Sequence, residues 1–241
     1  MKFAYFGFDI LAPCLEALLQ DGHELTHLFT FFSDNQYDFN VRVVNLATSC
    51  GAPVTFAPPG PQDIERLYQQ GCRMFVSCAY AYKIPPLPDD AYGFNLHPTL
   101  LPRGQGRFPL PYVLMHHRDA AGITLHKIAP QFDTGDILRQ KAIPLYNEDD
   151  METLSCRIVR EAPAMVVDAV RNIESYWSTA KPQNKDDMEY WPFPPDAMRT
   201  ISWDMHLDEI DRVGKAFGRA GWYAEIEGQK YMITRYSFWK E

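Results

Sequence analysis

The first half of the chain alternates between short apolar runs and stretches whose apolar residues recur at helical spacing. The apolar runs predict buried strands at 2–8, 25–32, 53–57 and 74–79. The stretches between them predict helices at 11–19, 40–50 and 61–70. This alternation predicts an α/β fold with a Rossmann-like, doubly wound, mostly parallel sheet. Ligands of such sheets bind outside the carboxyl ends of the strands.

The second half continues the pattern and then changes character. Further strands are predicted at 93–96, 122–128 and 137–143, and further helices at 109–117, 148–173 and 207–217. The segment 180–195 is rich in proline and polar residues, which predicts a linker or an ordered crossing loop. The segment 222–239 alternates like a β-hairpin. We therefore expect a catalytic domain at 1–178 and a small α/β extension at 179–241, made of a loop, a helix and a hairpin.

Composition narrows the classes of function. The net charge of −8 disfavours a general nucleic-acid binder, although it is compatible with a local basic patch. Five cysteines without a C-x-x-C pair predict buried free thiols, not disulfides or a zinc site. The N-terminus does not resemble a signal peptide, and no apolar run approaches the roughly 20 residues of a membrane span. These observations predict a cytoplasmic protein without a membrane partner.

Three polar side chains lie where the ligand-binding edge of the predicted sheet is expected. Asn95 lies in the predicted strand 93–96 and His97 comes at its end, and their spacing puts both side chains on one side of an extended segment. Asp133 lies in a later D-T-G turn. An amide can donate to a developing oxyanion, an imidazole can act as base and proton relay, and a carboxylate can orient the imidazole. The set predicts acyl transfer between nitrogens without a metal, although each residue alone would more often be structural.

The motifs around these residues resemble a known family. They are F-N-L-H-P-T-L-L-P-R-G-Q-G-R-F-P-L at 94–110, G-I-T-L-H-K-I at 122–128 and D-T-G-D-I-L-R-Q at 133–140. They resemble the N10-formyltetrahydrofolate-dependent formyltransferases, which include enzymes acting on methionyl-tRNA, glycinamide ribonucleotide and amino sugars. The resemblance covers about residues 1–175. It implies a Rossmann-like fold, N10-formyltetrahydrofolate as formyl donor, and catalysis by the residues at positions 95, 97 and 133.

The resemblance also implies binding residues. The segments 79–84 and 130–136 correspond to those that hold the pterin of the folate, largely through backbone groups. The predicted folate-binding residues are Tyr80, Tyr82, Lys83, Ile84, Gln131, Phe132, Thr134, Gly135 and Asp136. Arg107 matches an arginine near the acceptor in the sugar enzymes, and Thr99 and Trp191 complete the predicted substrate site. Ordinary packing and a solvated loop are the alternatives for Trp191 and Arg107. His126 is interpreted as a core histidine.

The acceptor is inferred from departures within the family. The short, mixed-charge stretch after Thr200 is unlike the basic barrel of the methionyl-tRNA enzymes, and residues 6–10 lack a glycine-rich phosphate loop. The segment Pro182-Gln183 resembles that of the sugar-nucleotide enzymes. We therefore expect formylation of the primary amine of a nucleotide-linked amino deoxysugar, an activity typical of lipopolysaccharide biosynthesis.

Three other functions are also compatible with the sequence. They are methionyl-tRNA formylation, hydrolysis of formyltetrahydrofolate, and non-catalytic binding of folate or a nucleotide. The alternating segment 222–239 is compatible with a homodimer and equally with an intramolecular hairpin.

Overall fold

The computed structural model describes residues 1–33 and 39–233. Its strands are β1 (Lys2–Gly7), β2 (Glu24–Phe29), β3 (Val54–Thr55), β4 (Met74–Cys78), β5 (Tyr92–Thr99), β6 (Arg103–Gln105), β7 (Ala121–Lys127), β8 (Ile137–Ala142), β9 (Glu189–Tyr190), β10 (Thr200–Ile201), β11 (Trp222–Ile226) and β12 (Gln229–Ile233). Its α-helices are α1 (Ala12–Gln20), α2 (Val41–Ser49), α3 (Pro61–Gln69), α4 (Leu110–Met115), α5 (Met151–Arg171), α6 (Ile173–Ser178) and α7 (Leu207–Phe217).

The central sheet has seven strands in the order β3-β2-β1-β4-β5-β7-β8. The first five are parallel, while β7 runs antiparallel to both of its neighbours. Side chains alternate between the two faces of each strand, and the sheet separates two apolar cores. The larger core includes α1, α2 and α5, and the smaller one includes Ile64 and Leu67 of α3. The predicted doubly wound, mostly parallel α/β fold is confirmed.

The strand that carries the candidate chemistry is longer than predicted. The motif predicts a strand that ends at residue 96, but β5 continues through His97 and Pro98 to Thr99. Pairing with β4 stops at Leu96, whereas antiparallel pairing with β7 extends to Thr99. Pro98 falls where the β5–β7 register shifts, so its missing N–H disrupts no regular pairing. His97 therefore lies inside the sheet, held by a strand neighbour that the sequence pattern did not show.

Other boundaries also differ from those predicted. The expected helix 148–173 begins at Met151, because the Asp150 side chain accepts from the Thr153 N–H as an N-cap, and it breaks at Asn172 before α6. The segment 180–195 is an ordered crossing loop, since Lys181 bridges Ile137 and β9 pairs with β6. The predicted hairpin is observed as β11 and β12. Residues 234–239 of that prediction lie outside the described residues.

The C-terminal extension shares the core of the preceding residues. Ile210, Val213 and Phe217 of α7 and Trp222 of β11 belong to the same buried cluster as α1 and α5. The expected boundary at residue 178 is therefore crossed by continuous packing.

The remaining sequence expectations concern thiols and membrane spans. All five cysteines are free; Cys14, Cys72 and Cys78 are buried, while Cys50 and Cys156 are exposed. Within residues 1–33 and 39–233, no helix has both the length and the apolar character needed to cross a membrane.

Packing of α1 on the sheet gives a test of this core. Leu18 is fully buried, whereas Leu207 is 64% exposed at the start of α7. We expect Leu18→Ala to lower the free energy of unfolding by about 2–5 kcal/mol, because it leaves a cavity. Leu207→Ala should change it by less than about 0.5 kcal/mol. Urea denaturation of both variants checks this, and equal costs would contradict the assigned core.

Candidate functional site

A row of polar side chains crosses three neighbouring strands of the sheet. Ser77 of β4 is paired with Asn95 of β5, and Asn95 is paired with His126 of β7. The residues that flank these positions on the same strands, such as Phe94 and Leu96, point into the larger core. The polar row therefore lies on the opposite face, which loops cover at β5 and β7. Strand register alone brings these groups together.

The Asn95 amide is held from both sides and remains partly exposed. Its Oδ1 accepts a hydrogen bond from the Ser77 hydroxyl at 2.7 Å, and its Nδ2 donates to His126 Nε2 at 3.1 Å. The second Nδ2 hydrogen faces Asp133 Oδ1 across 3.5 Å, which is long for a hydrogen bond. That N–H is the group that can turn to a ligand oxygen, as an oxyanion donor requires.

Asp133 reaches the row from the turn between β7 and β8. Its backbone has a positive φ of 59°, a left-handed conformation that aspartate tolerates better than most residues. Oδ2 accepts from the Gly106 backbone N–H at 3.0 Å, while Oδ1 lies 3.3 Å from His97 Nδ1 and 3.5 Å from His126 Nε2. The carboxylate is 8% exposed, so the Gly106 N–H and the His97 Nδ1–H take the place of its water.

The His97 ring is buried between two acceptors. Nδ1 faces the Asp133 carboxylate and Nε2 lies 2.7 Å from the Gly104 carbonyl oxygen. Because neither partner can donate, an imidazolium with two N–H groups satisfies both contacts. Burial by itself lowers the pKa of His97, but the Asp133 carboxylate and the Gly104 carbonyl outweigh it and raise that pKa above its ordinary 6.5.

The same contacts lower the pKa of the Asp133 carboxylate. Burial by itself raises the pKa of Asp133, but the neighbouring His97 and His126 outweigh that effect and hold the pKa far below its ordinary 3.8. The contacts and both pKa shifts therefore favour a buried carboxylate and imidazolium pair.

These ring contacts bear on the expected role of His97 as base and proton relay, which stays a prediction. A doubly donating imidazolium is not a base, and the cation suits stabilisation of a developing oxyanion. Proton relay by His97 requires that Nε2 first leave the Gly104 carbonyl. The geometry agrees with the predicted orienting role of Asp133, which contacts the second ring nitrogen.

The two predicted folate segments face each other beside this cluster. The Lys83 ammonium lies 5.6 Å from the centre of the Phe132 ring, which is 50% exposed. Tyr82 is 40% exposed, and its ring contacts Tyr80 edge-on. The Tyr80 hydroxyl is buried without a hydrogen-bond partner among the described residues. Of the remaining predicted residues, Gln131 is exposed, Gly135 is buried, and Ile84, Thr134 and Asp136 are intermediate.

The predicted substrate residues divide into two kinds. Thr99 is fully buried and its hydroxyl donates to the Arg103 carbonyl. Trp191 is 5% exposed and stacks on His117 with ring centres 4.6 Å apart. Both side chains are buried in packing contacts, and their predicted substrate contacts stay predictions. Arg107 is exposed next to Gly106, at the edge of the cluster.

Sequence reasoning missed two members of the site. Ser77 was not singled out, and His126 was interpreted as a core histidine, yet both contact Asn95. A signal for His126 was present, because I-T-L-H on β7 repeats the apolar–polar alternation of F-N-L-H on β5. Within the described part of the chain, no group of three or more histidine, cysteine or acidic side chains is placed to hold a metal ion.

The buried ion pair predicts a specific pH dependence of stability. The raised pKa of His97 contributes stability that is present below 6.5 and is lost as the pH rises through the folded-state pKa. The lowered pKa of Asp133 contributes stability that is present above 3.8 and is lost at lower pH. We expect Asp133→Asn to cost about 1.5–3 kcal/mol near pH 5, and less at pH 9, by denaturant unfolding.

Asp136→Asn is the matched control for this titration. Asp136 pairs with Lys127 at 3.2 Å, and a lysine keeps its charge over this range. The loss of unfolding free energy caused by Asp136→Asn should be small and should not change from pH 5 to pH 9. An Asp133→Asn cost that is equally flat would contradict the ionised His97–Asp133 pair.

A second prediction concerns the loop that holds Asp133. Gly106 has φ 129°, and a Cβ there would lie 2.3 Å from the Trp191 carbonyl oxygen. Gly22 has φ 83° but open space around its Cβ. We expect Gly22→Ala to cost about 1–2 kcal/mol from backbone strain alone, and Gly106→Ala to cost about 1–3 kcal/mol more. Thermal unfolding of both variants checks this, and equal melting temperatures would contradict the close approach.

Comparison with known proteins finds a family model that matches the segment carrying this site. The family model described as formyl transferase matches residues 90–170, which include β5, β7 and the Asp133 turn. A methionyl-tRNA formyltransferase of Ehrlichia ruminantium is 33% identical over 132 residues, covering 54% of this chain. The chain spans 43% of that relative's length.

Solved structures show the same fold. A sugar N-formyltransferase from Shewanella sp. FDAARGOS_354 is similar with a TM-score of 0.73 at 15% identity, covering 100% of this chain and 98% of that one. WlaRD, a sugar 3N-formyl transferase crystallised with dTDP and 5-N-formyl-THF, is similar with a TM-score of 0.67 at 16% identity, covering 90% and 78%. The site therefore lies within the residues that match the formyl transferase family model, on a fold that the sugar N-formyltransferases share.

Proposed function

We propose that this protein transfers a formyl group from N10-formyltetrahydrofolate to the primary amine of a nucleotide-linked amino deoxysugar. The observation that carries the proposal is the buried cluster of Asn95, His97 and Asp133 inside the segment that matches the formyl transferase family. The cluster combines an amide donor, an imidazolium and an ionised carboxylate on one face of the sheet.

In the proposed reaction the uncharged amine attacks the formyl carbon of the donor. A new C–N bond forms, and the carbonyl oxygen takes up the negative charge of a tetrahedral intermediate. The Asn95 Nδ2–H and the His97 cation stabilise that oxygen. Collapse then breaks the bond between the formyl carbon and N10, and the folate nitrogen leaves with the proton that the attacking amine releases. Asp133 keeps the imidazole oriented throughout.

The folate is assigned to the cleft between 79–84 and 130–136. The exposed rings of Tyr82 and Phe132 offer surfaces for a flat pterin, and the unpartnered Tyr80 hydroxyl offers a hydrogen bond. The 5-N-formyl-THF in the WlaRD structure supports the same class of ligand. The predicted folate contacts of Lys83, Ile84, Gln131, Thr134, Gly135 and Asp136 belong to this proposal.

The sugar acceptor is favoured over tRNA by two observations. The chain spans 98% of the Shewanella sugar enzyme, but 43% and 74% of the methionyl-tRNA enzymes of Ehrlichia ruminantium and Methylobacillus flagellatus. Its net charge of −8 is unfavourable for a tRNA surface. Arg107, exposed beside the cluster, is the residue that we assign to the phosphate of the nucleotide. A cytoplasmic location, a homodimer and a role in lipopolysaccharide biosynthesis belong to the same proposal.

The catalytic assignment is tested with Asn95→Ala and His97→Ala. Removing one oxyanion donor should lower kcat by about 10²–10³, while the Kd for 5-formyltetrahydrofolate stays within about threefold. Asn45→Ala, an exposed amide on α2, is the control and should keep full activity. Product formation is followed by mass spectrometry of the acceptor. Transfer that survives the Asn95 and His97 double substitution would contradict the assignment.

Methionyl-tRNA is the second candidate acceptor, because the 33% identity is to a methionyl-tRNA enzyme. Parallel assays with dTDP-, UDP- and GDP-linked amino sugars and with methionyl-tRNA decide between them. We expect activity on a nucleotide sugar with little salt dependence. Activity that is confined to methionyl-tRNA and falls steeply between 50 and 200 mM salt would identify tRNA, and not a nucleotide sugar, as the acceptor.

A further inference from the structure

We infer that Gln183, in the crossing loop of the C-terminal extension, is a positioning residue for the catalytic aspartate. The inference rests on the proposed formyl transfer, and it makes the extension a working part of the active site. Gln183 acts through the Asp133 turn and does not touch the cluster of reacting groups itself.

The Gln183 amide is fully used inside the protein. Its Nε2 donates to the backbone carbonyls of Asp133 at 2.7 Å and Gly135 at 2.9 Å. Its Oε1 accepts from Gln105 Nε2 at 3.1 Å. The side chain is 6% exposed, whereas Pro182 and Asn184 on either side are exposed. A buried amide between two exposed neighbours indicates a specific contact and not general packing.

Backbone pairing fixes where this amide lies. The Lys181 N–H donates to the Ile137 carbonyl at 2.9 Å, and the Ile137 N–H donates to the Lys181 carbonyl at 2.7 Å. Ile137 lies two residues beyond Gly135, and Gln183 lies two residues beyond Lys181. This short antiparallel bridge holds the loop beside the turn and delivers Gln183 to the turn's carbonyls.

The contacts continue to both partners of His97. Gln105 Nε2 also donates to the Asp133 carbonyl at 3.3 Å, and the Gln105 carbonyl accepts from the Trp191 N–H at 2.8 Å. Gln105 lies between Gly104, whose carbonyl holds His97 Nε2, and Gly106, whose N–H holds Asp133 Oδ2. The crossing loop therefore ties together the two segments that fix the imidazole.

The Asp133 turn needs this support. The positive φ of Asp133 is uncommon for a residue other than glycine. The buried backbone carbonyls of Asp133 and Gly135 both accept hydrogen bonds from Gln183. Without the amide the turn can relax, and the carboxylate moves relative to His97. A displacement of this kind lowers the rate of the chemical step more than it weakens binding.

The test compares Gln183→Met with Asn184→Leu. Methionine keeps the length of the side chain and removes its hydrogen bonds. Asn184 lies in the same loop, but among the described residues its amide contacts only Asp186 and Asp187. We expect Gln183→Met to lower kcat by about tenfold to a hundredfold with KM values within about threefold. Asn184→Leu should leave both unchanged.

A second readout does not depend on turnover. The titratable groups in contact with the His97 ring, among the described residues, are Asp133 and His126. NMR titration of ¹³C-labelled histidine, with His97 assigned from His97→Gln, should show its pKa lower by about half a unit or more in Gln183→Met. The Asn184→Leu protein should titrate like the wild type. Lost stability alone would not move the pKa of the folded state.

The outcomes separate the two proposals. A wild-type protein that transfers no formyl group, together with the shifted His97 titration, removes the proposed function and keeps the positioning role. Wild-type kcat and an unshifted His97 in Gln183→Met overturn the positioning role. If Gln183→Met does not fold, Gln183→Glu keeps the shape but replaces the donor by an acceptor. Full activity of Gln183→Glu at neutral pH would then overturn it.

Discussion

A carboxylate taken out of water needs donors on both oxygens, and Asp133 receives them from separate parts of the chain. Oδ2 accepts from the backbone of the 104–106 loop, and Oδ1 faces the imidazoles of β5 and β7. This one buried charge raises the pKa of His97, contacts its ring at Nδ1 and joins the 104–106 loop to the sheet. The Asp133 turn with its positive φ, the closely packed Gly104 and Gly106, and the crossing loop all hold this carboxylate in place.

The sheet explains why the cluster forms where it does. One face of β4, β5 and β7 packs into the larger core. The opposite face of the sheet is apolar on β1, where it carries Ala4 and Phe6. On β4, β5 and β7 the same face carries Ser77, Asn95 and His126. Loops replace helices over that polar stretch. Loops can carry backbone carbonyls and N–H groups to a buried polar side chain, whereas the outer surface of a helix cannot.

Sequence patterns predicted the fold class and most helices and strands, because apolar periodicity reflects local burial. Asn95, His97 and Asp133 were also predicted, from spacing and from the family resemblance. The extension of β5 through His97 was not, because it depends on an antiparallel neighbour far along the chain. Ser77 and His126 depend on strand register, and the burial of Thr99, Trp191 and Gln183 depends on loops that cross the site. A sequence pattern read locally carries none of that information.

The most direct test of the account is the fate of a ¹³C-labelled formyl group on N10-formyltetrahydrofolate, followed by NMR and mass spectrometry with a panel of nucleotide-linked amino sugars. The account predicts that the label appears as a formamide on one acceptor, in amounts equal to the tetrahydrofolate released, and that Asn95→Ala removes this signal. Label recovered only as free formate, at a rate that no amine changes, would contradict it.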